Sequence, residues 1–255
     1  MKKRVVLLLN HKPGIEVCRF LVENEMTEIL SVFLIGDDPA YELEIESILV
    51  NREIPIYRGK SVWEPVTISK ILEPLRIDFL ISVYWPWLLK DFTLDLFKDS
   101  INFHPALLPR NRGWFPHVYN LKDDTPAGVA LHRISVDADA GDIWALRAVP
   151  TLPTDTASEL YNRLQVEIVG LFKEVWPQII RGEIETVEQD HTISTYNKKN
   201  AIAEFDEIDL NSIVNVREFI NLLRSRTFKN KGFAYFFSQG KKISISISLS
   251  EISQD

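Results

Sequence analysis

The 255 residues include a single cysteine, Cys18, so no disulfide can form within the chain. A lone thiol packs as a small hydrophobe, and Cys18 reads as a buried structural residue. No run approaches the roughly 20 apolar residues of a membrane span. The apolar run Val5 to Leu9 follows a basic tip, which superficially suggests a signal peptide. It ends at Asn10-His11-Lys12-Pro13-Gly14 without a small-residue cleavage site, so it reads as a first strand. No Gly-X-Gly-X-X-Gly is present, which argues against a dinucleotide cofactor. No His/Cys set has metal-ligand spacing; His11, His117, His132 and His191 are scattered and read as structural or surface residues. Positive charge is not in excess either: 29 Lys and Arg stand against 36 Asp and Glu, a formal net charge of -7. That argues against a broad grip on nucleic acid but leaves room for a local phosphate pocket. These absences predict a cytoplasmic protein with no metal and no membrane association.

What is present is ordinary for a folded chain, 45% hydrophobic and 25% charged residues, enough for a sizeable core. Strand-like runs at Val5–Leu9, Ile29–Ile35, Ile54–Tyr57 and Phe79–Val83 alternate with helical spacing at Gly14–Asn24, Tyr41–Val50 and Thr67–Glu73. Such alternation predicts an α/β fold, a Rossmann-like and mainly parallel sheet flanked by helices, with ligand sites at the carboxyl ends of the strands. Residues 105–126 carry four prolines and read as an extended loop with one helical turn. Val129–Val136 and Ile143–Val149 read as strands joined by an aspartate-rich turn, and Ala157–Ile180 as the longest helix, N-capped by Thr154 or Asp155. The composition shifts near residue 193, which divides the chain into a domain at 1–192 and a small C-terminal α+β region at 193–255. That region holds a helix at Val214–Arg224 and a hairpin whose strands Ala234–Phe237 and Ile243–Leu249 flank a Ser-Gln-Gly-Lys turn.

One stretch stands out chemically. In Ile101-Asn102-Phe103-His104-Pro105 the asparagine and histidine are two apart, so at a strand end they share one face. An Asn amide can donate to a developing oxyanion, and an imidazole can take a proton from an attacking group. A carboxylate from the turn at Asp137, Asp139 and Asp142 would complete the set, although these aspartates also suit plain turn formation. The turn Asn10-His11-Lys12 precedes a helix whose free amides could receive a phosphate, with Lys12 adding a charge; a polar connector is the alternative.

The string Asn102-Phe103-His104-Pro105-Ala106-Leu107-Leu108-Pro109 with Asn111-Arg112-Gly113 closely resembles the signature of folate-dependent formyltransferases. Val136-Asp137-Ala138-Asp139-Ala140-Gly141-Asp142-Ile143 resembles their Asp-Thr-Gly-Asp loop, with Ala140 where the family often has Thr. The resemblance covers roughly residues 1–185 and, more weakly, the remainder. It implies catalysis by Asn102, His104 and Asp139, with 10-formyltetrahydrofolate as co-substrate. It also implies a pteridine pocket walled by Pro86, Trp87 and Leu88 on one side and Asp137 and Ala138 on the other. Asn10, His11, Lys12, Arg112 and Gly113 would face the acceptor.

The wording around Arg112, with Leu223-Arg224-Ser225-Arg226-Thr227-Phe228 and Ala234-Tyr235-Phe236, is most like the sugar N-formyltransferases. These act on nucleotide-linked amino sugars, often dTDP-linked 4-amino-4,6-dideoxy hexoses bound for surface polysaccharide such as lipopolysaccharide O-antigen. The resemblance implies a nucleotide sugar and a folate as partners, no nucleic acid, and a homodimer. Trp114, Phe115 and Tyr119 suit either the sugar and base pocket or the core. Methionyl-tRNA and glycinamide ribonucleotide are the alternative acceptors. A binding module that kept the fold without turnover is the non-enzymatic alternative.

Overall fold

The computed structural model describes residues 1–89 and 91–252. In chain order the first elements are β1 (Lys3–Leu9), α1 (His11–Glu23), β2 (Thr27–Leu34), α2 (Pro39–Leu49), β3 (Ile56–Arg58), α3 (Pro65–Leu72) and β4 (Ile77–Val83). Then come α4 (Asp91–Leu94), β5 (Phe97–His104), β6 (Arg112–Gly113), α5 (Pro116–Lys122), β7 (Ala127–His132), β8 (Ile143–Val149) and α6 (Ala157–Arg181). The chain closes with β9 (Tyr196–Asn197), α7 (Val216–Ser225), β10 (Thr227–Phe228), β11 (Lys231–Gly232), β12 (Tyr235–Ser238) and β13 (Lys241–Ser244). Seven strands form one sheet in the order β3-β2-β1-β4-β5-β7-β8. Every pair from β3 to β5 is parallel, and β7 runs antiparallel to β5. The α/β, mainly parallel architecture expected from the alternation is therefore the observed one.

The chain forms two compact units. The first comprises residues 1–104, 130–146 and 168–189. Its central strands are apolar because both sheet faces are covered: Val5 to Leu9 are all fully buried. One face packs Val6, Leu8, Phe33 and Leu80 against Ile68 and Leu72 of α3. On the other, Phe103 lies 5.0 Å from Phe172 of α6, which stacks on Trp176 at 5.5 Å. Trp176 Nε1 in turn donates to Thr27 Oγ1 at 3.1 Å, which satisfies a buried polar pair. Cys18 is fully buried on α1, and burial pushes its thiol up to about 12, so it stays protonated and inert.

The second unit comprises residues 105–129, 147–167 and 190–255. Here α5 replaces the single helical turn expected within 105–126. It starts at Pro116 after Phe115 in the left-handed region, and Pro116 to Leu121 are all buried. The expected N-cap of α6 is also corrected. Thr156 precedes the helix, and Glu159 accepts from its backbone N–H at 2.9 Å, as in a capping box. Asp155 is used otherwise: its carboxylate takes the Leu152 amide at 2.6 Å and both terminal nitrogens of Arg163 at 2.7 and 2.8 Å. Arg224 donates to the Asp155 and Leu152 carbonyls, and Arg226 to Asp206 Oδ1, so both arginines serve the interior of this unit. The expected hairpin is present as β12 and β13, with Gln239 and Gly240 at its tip, both at positive φ. Regular pairing stops at Ser244, short of the expected Leu249, but Ile245, Ile247 and Leu249 remain half-buried while the intervening serines are exposed.

Candidate active site

Asn102 and His104 end β5, at the carboxyl edge of the sheet, on the same side of the strand. Antiparallel pairing with β7 sets Asn102 opposite His132 and His104 opposite Ala130. The chain then turns through residues 133–142 before β8 begins. This loop is closed on itself by Arg133, whose backbone N–H donates to the Asp142 carbonyl at 2.7 Å. The Arg133 guanidinium grips both oxygens of Asp99, at 2.9 and 2.8 Å, and reaches Asp142 at 3.3 Å. Gly141 is required where it stands: a Cβ there would lie 2.1 Å from the Arg133 carbonyl oxygen.

The loop delivers Asp139 in the left-handed region, at φ 54°, onto the strand-end pair. Its Oδ2 is 3.4 Å from His104 Nδ1, and its Oδ1 is 3.3 Å from Asn102 Nδ2. The three residues that sequence reasoning singled out are thus brought together. A fourth joins them. His132 Nε2 lies 3.1 Å from Asn102 Nδ2 and 3.4 Å from Asp139 Oδ1. Its other nitrogen, Nδ1, is 2.7 Å from the Arg133 carbonyl, which can only accept, so Nδ1 carries the proton. Its Nε2 and the Asp139 carboxylate both face the Asn102 amide nitrogen. Both imidazoles are at most 4% exposed. In the sequence, His132 is one of four scattered histidines. The one signal was its position at the end of a strand that pairs with β5, and that pairing is invisible without the fold.

Because Nδ1 of His104 faces the carboxylate, Nε2 is the nitrogen turned away from Asp139. An anionic partner on one side of an imidazole stabilises its protonated form and fixes its orientation. The cluster thus offers imidazoles that can carry a proton, a hydrogen-bond donor and a carboxylate, with both imidazoles buried.

The other expected residues fall in several places. At the carboxyl end of β1, Asn10 caps α1, and its Nδ2 donates to the Tyr84 carbonyl at 3.1 Å, tying the β1 turn to the end of β4. His11, at φ 54°, meets the Tyr84 ring edge-on at 5.9 Å. Burial lowers its pKa, against the opposing pull of Asp37 and Asp38. Lys12 is exposed. Beyond Tyr84 the chain leaves the sheet with Pro86 and Trp87 half-buried and Leu88 70% exposed. Trp87 meets Trp85 edge-on at 4.9 Å. Asp137 is exposed and Ala138 half-buried, in the turn that carries Asp139.

Arg112 and Gly113 belong to the second unit, where they form β6 and pair with β9. Arg112 is 8% exposed and its Nη2 is 3.0 Å from His191 Nδ1. Segment 195–197 binds the turn further: Asn111 N–H donates to Thr195 Oγ1, and Trp114 N–H to the Asn197 carbonyl. Tyr119 is buried against Phe205, on the core side of the choice left open for it. Lys199 Nζ sits 4.5 Å above the Trp114 ring. Among the described residues, no group of three or more His, Cys, Asp or Glu is arranged to hold a metal ion.

Comparison with known proteins places this geometry in context. The sequence pattern of the family described as "Formyl transferase" matches residues 45–175. That described as "N-formyltransferase dimerization C-terminal domain" matches residues 202–251. A methionyl-tRNA formyltransferase of Streptococcus pyogenes serotype M2 (strain MGAS10270) is 28% identical over 199 residues, 76% of this chain and 64% of its own length. The chain therefore spans less than two thirds of that relative. Among solved structures, a 4-N formyltransferase from Francisella tularensis superposes with a TM-score of 0.83 at 23% identity, covering 98% of this chain and 99% of that one. An N-formyltransferase from Helicobacter canadensis, solved with folinic acid and dTDP-3-aminofucose, superposes at 0.71 with 21% identity over 95% and 86% of the two chains.

Proposed function

Because this chain belongs to the formyl transferase family, we propose that it transfers a formyl group from 10-formyltetrahydrofolate to the amino group of a nucleotide-linked amino sugar. The observation that carries the reading is the convergence of Asn102, His104 and Asp139 within hydrogen-bonding or ion-pairing reach at the carboxyl edge of β5.

The folate fits the surroundings in kind. Pro86, Trp87 and the exposed Leu88 leave apolar surface at the end of β4, suited to a flat ring, and Asp137 and Ala138 would hold its other side. The folate supplies the formyl carbon and leaves as tetrahydrofolate. The chain supplies the rest. As the amine nitrogen attacks, charge develops on the formyl oxygen, and Asn102 turns one of its two N–H groups to it, away from His132 or Asp139. His104, held through Nδ1 by Asp139, takes the amine proton at Nε2 and returns it to the folate nitrogen as that nitrogen's bond to the formyl carbon breaks. Asp139 keeps its charge throughout, which favours the protonated imidazole as the proton arrives. Asn10, His11 and Lys12, at the head of α1, and Arg112 and Gly113 are proposed to face the acceptor, whose phosphates suit a helix N-terminus and a guanidinium.

A dTDP-linked 4-amino-4,6-dideoxy hexose for surface polysaccharide is the acceptor we favour. Support comes from the near-complete coverage of the Francisella 4-N enzyme and from the nucleotide sugar bound by the Helicobacter one. Methionyl-tRNA is the second reading, motivated by the Streptococcus relative. The chain's net charge of -7 weighs against it, since binding RNA means neutralising phosphates with basic groups. The matched C-terminal pattern supports assembly as a homodimer.

The test is release of tetrahydrofolate from 10-formyltetrahydrofolate with a panel of amines. The panel holds dTDP- and GDP-linked 3-amino and 4-amino dideoxy sugars, glycinamide ribonucleotide and methionyl-tRNA. Saturable turnover with one sugar is expected. Turnover only with methionyl-tRNA moves the assignment to the second reading, and no turnover with any amine overturns formyl transfer.

A further inference from the structure

The loop that carries Asp139 holds a costly conformation. Asp139 is a non-glycine residue at positive φ, and such residues persist only where surrounding contacts over-determine them. Arg133 closes the loop from one side. From the other comes a residue 50 positions away in sequence. Gln189 is 4% exposed, and its Nε2 donates to the carbonyls of Asp139 and Gly141, at 2.9 and 2.6 Å. One side-chain amide thus spans the two peptide units that flank the turn after Asp139.

The amide is itself fixed. Residues 186–189 lie along the start of β8, where Ile143 and Val187 exchange both backbone hydrogen bonds, at 2.8 and 2.9 Å. Thr186 Oγ1 also reaches Asp142 Oδ2 at 3.5 Å. Gln189 therefore transmits the position of a sheet-anchored strap to the backbone of the aspartate loop, and it does so through backbone atoms, leaving the Asp139 carboxylate to His104 and Asn102. Two part-buried carbonyls would lose this donor if the amide were removed, which releases the loop from the strap.

We propose that Gln189 is a positioning residue for the reaction: it sets the backbone of Asp139 so that the carboxylate meets His104 and Asn102. It touches neither the acceptor nor the folate in this role. The inference rests on the formyl-transfer reading for its effect on turnover, but the positioning itself can be measured without turnover.

The experiment compares the full-length wild type with Gln189→Met, which keeps the side chain's length and removes both donors. Asp139→Asn serves as the reference. Three quantities are read: kcat with KM for each substrate, thermal stability, and the pH titration of the His104 ring by NMR. Loss of the fixed carboxylate lowers the pH at which an imidazole titrates. Gln189→Met is expected to lose about 10- to 100-fold in kcat, as for a displacement of about 1 Å in a reacting group, with both KM values nearly unchanged. Its His104 titration should move down, toward that of Asp139→Asn. If Gln189→Met does not fold, Gln189→Asn, which keeps a donor but is one methylene too short to span both carbonyls, takes its place with the same expectations. A folded variant in which His104 titrates as in the wild type overturns the proposal, whatever its kcat. An inactive wild type sinks the functional reading alone, and the NMR comparison still decides whether Gln189 positions Asp139.

Discussion

Asp139 and His117 are both acid–base groups held away from water, but they answer to different neighbours. Asp139 meets two imidazoles and an amide, and its charge has work to do in the proposed reaction. Asp139→Asn keeps the shape and removes the charge. It should lower kcat by about 100-fold or more, the range general acid–base groups supply, while folate binding measured by fluorescence titration is retained. Among the described residues His117 has no such partner. Its ring is packed 4.9 Å from Tyr161, and Nδ1 makes no hydrogen bond. Burial, and then the nearby Arg226 guanidinium, pushes it down to about 3. A folded pKa below the unfolded value of 6.5 means the unfolded chain takes up the proton first. Stability is therefore complete above pH 6.5 and is lost as pH falls toward 3. Asp155 acts in the same direction at lower pH, below its ordinary value of 3.8. Burial pushes its carboxyl up, but the Arg163 pair and the Leu152 amide outweigh that and leave it below the ordinary value. The melting temperature should fall between pH 6.5 and 4, and His117→Leu should flatten that part of the curve in a calorimetric series.

The helices and turns are held by local chemistry that can be tested separately from catalysis. Asn10 both caps α1, by accepting from the His11 N–H at 2.9 Å, and ties the β1 turn to Tyr84. Asn10→Ala should cost about 1 kcal/mol in urea unfolding, and Asn10→Asp, which keeps the accepting oxygen, should recover most of it. The cap is kept in Asn10→Asp but the donor to the Tyr84 carbonyl is not, so any stability still missing in that variant measures the tie to β4. At the C-terminal hairpin, the positive φ of Gln239 and Gly240 matches the type I′ turns that suit the right-handed twist of paired strands. The Ser-Gln-Gly-Lys wording was enough to expect this turn. The helix α5 was harder to foresee, because the prolines that suggested a loop include Pro116, which sits at the first helical position, where its missing N–H costs nothing.

For the molecule as a whole, the matched C-terminal region leaves Ile213, Val216, Ile220 and Phe237 exposed. Exposed apolar side chains in one region suit burial against a second copy. Sedimentation should give twice the 29.4 kDa chain mass at micromolar concentration. Ile220→Asp combined with Phe237→Asp should return the monomer mass with the far-ultraviolet dichroism unchanged. A wild-type monomer at all concentrations would remove the homodimer from the reading. Among the described residues, no helix is long and apolar enough to cross a membrane.

The sequence by itself determined the class of fold, because buried parallel strands are apolar and helices apolar at every third or fourth place, and both patterns are written in β1 and α6. It also pointed to Asn102 and His104, two apart at a strand end, and to the aspartate turn, within which the family resemblance picked out Asp139. It left His132 among scattered histidines and said nothing of Gln189. Their places depend on contacts across 30 and 50 residues, which arise only when β7 pairs with β5 and the strap at 186–189 lies along β8. Tertiary structure shows how one aspartate of the three meets the histidine: Asp137 is exposed, Asp142 is held by Arg133 and Thr186, and Asp139, in the left-handed region, reaches His104. A side chain's type is local, whereas its direction is set by everything the backbone is tied to.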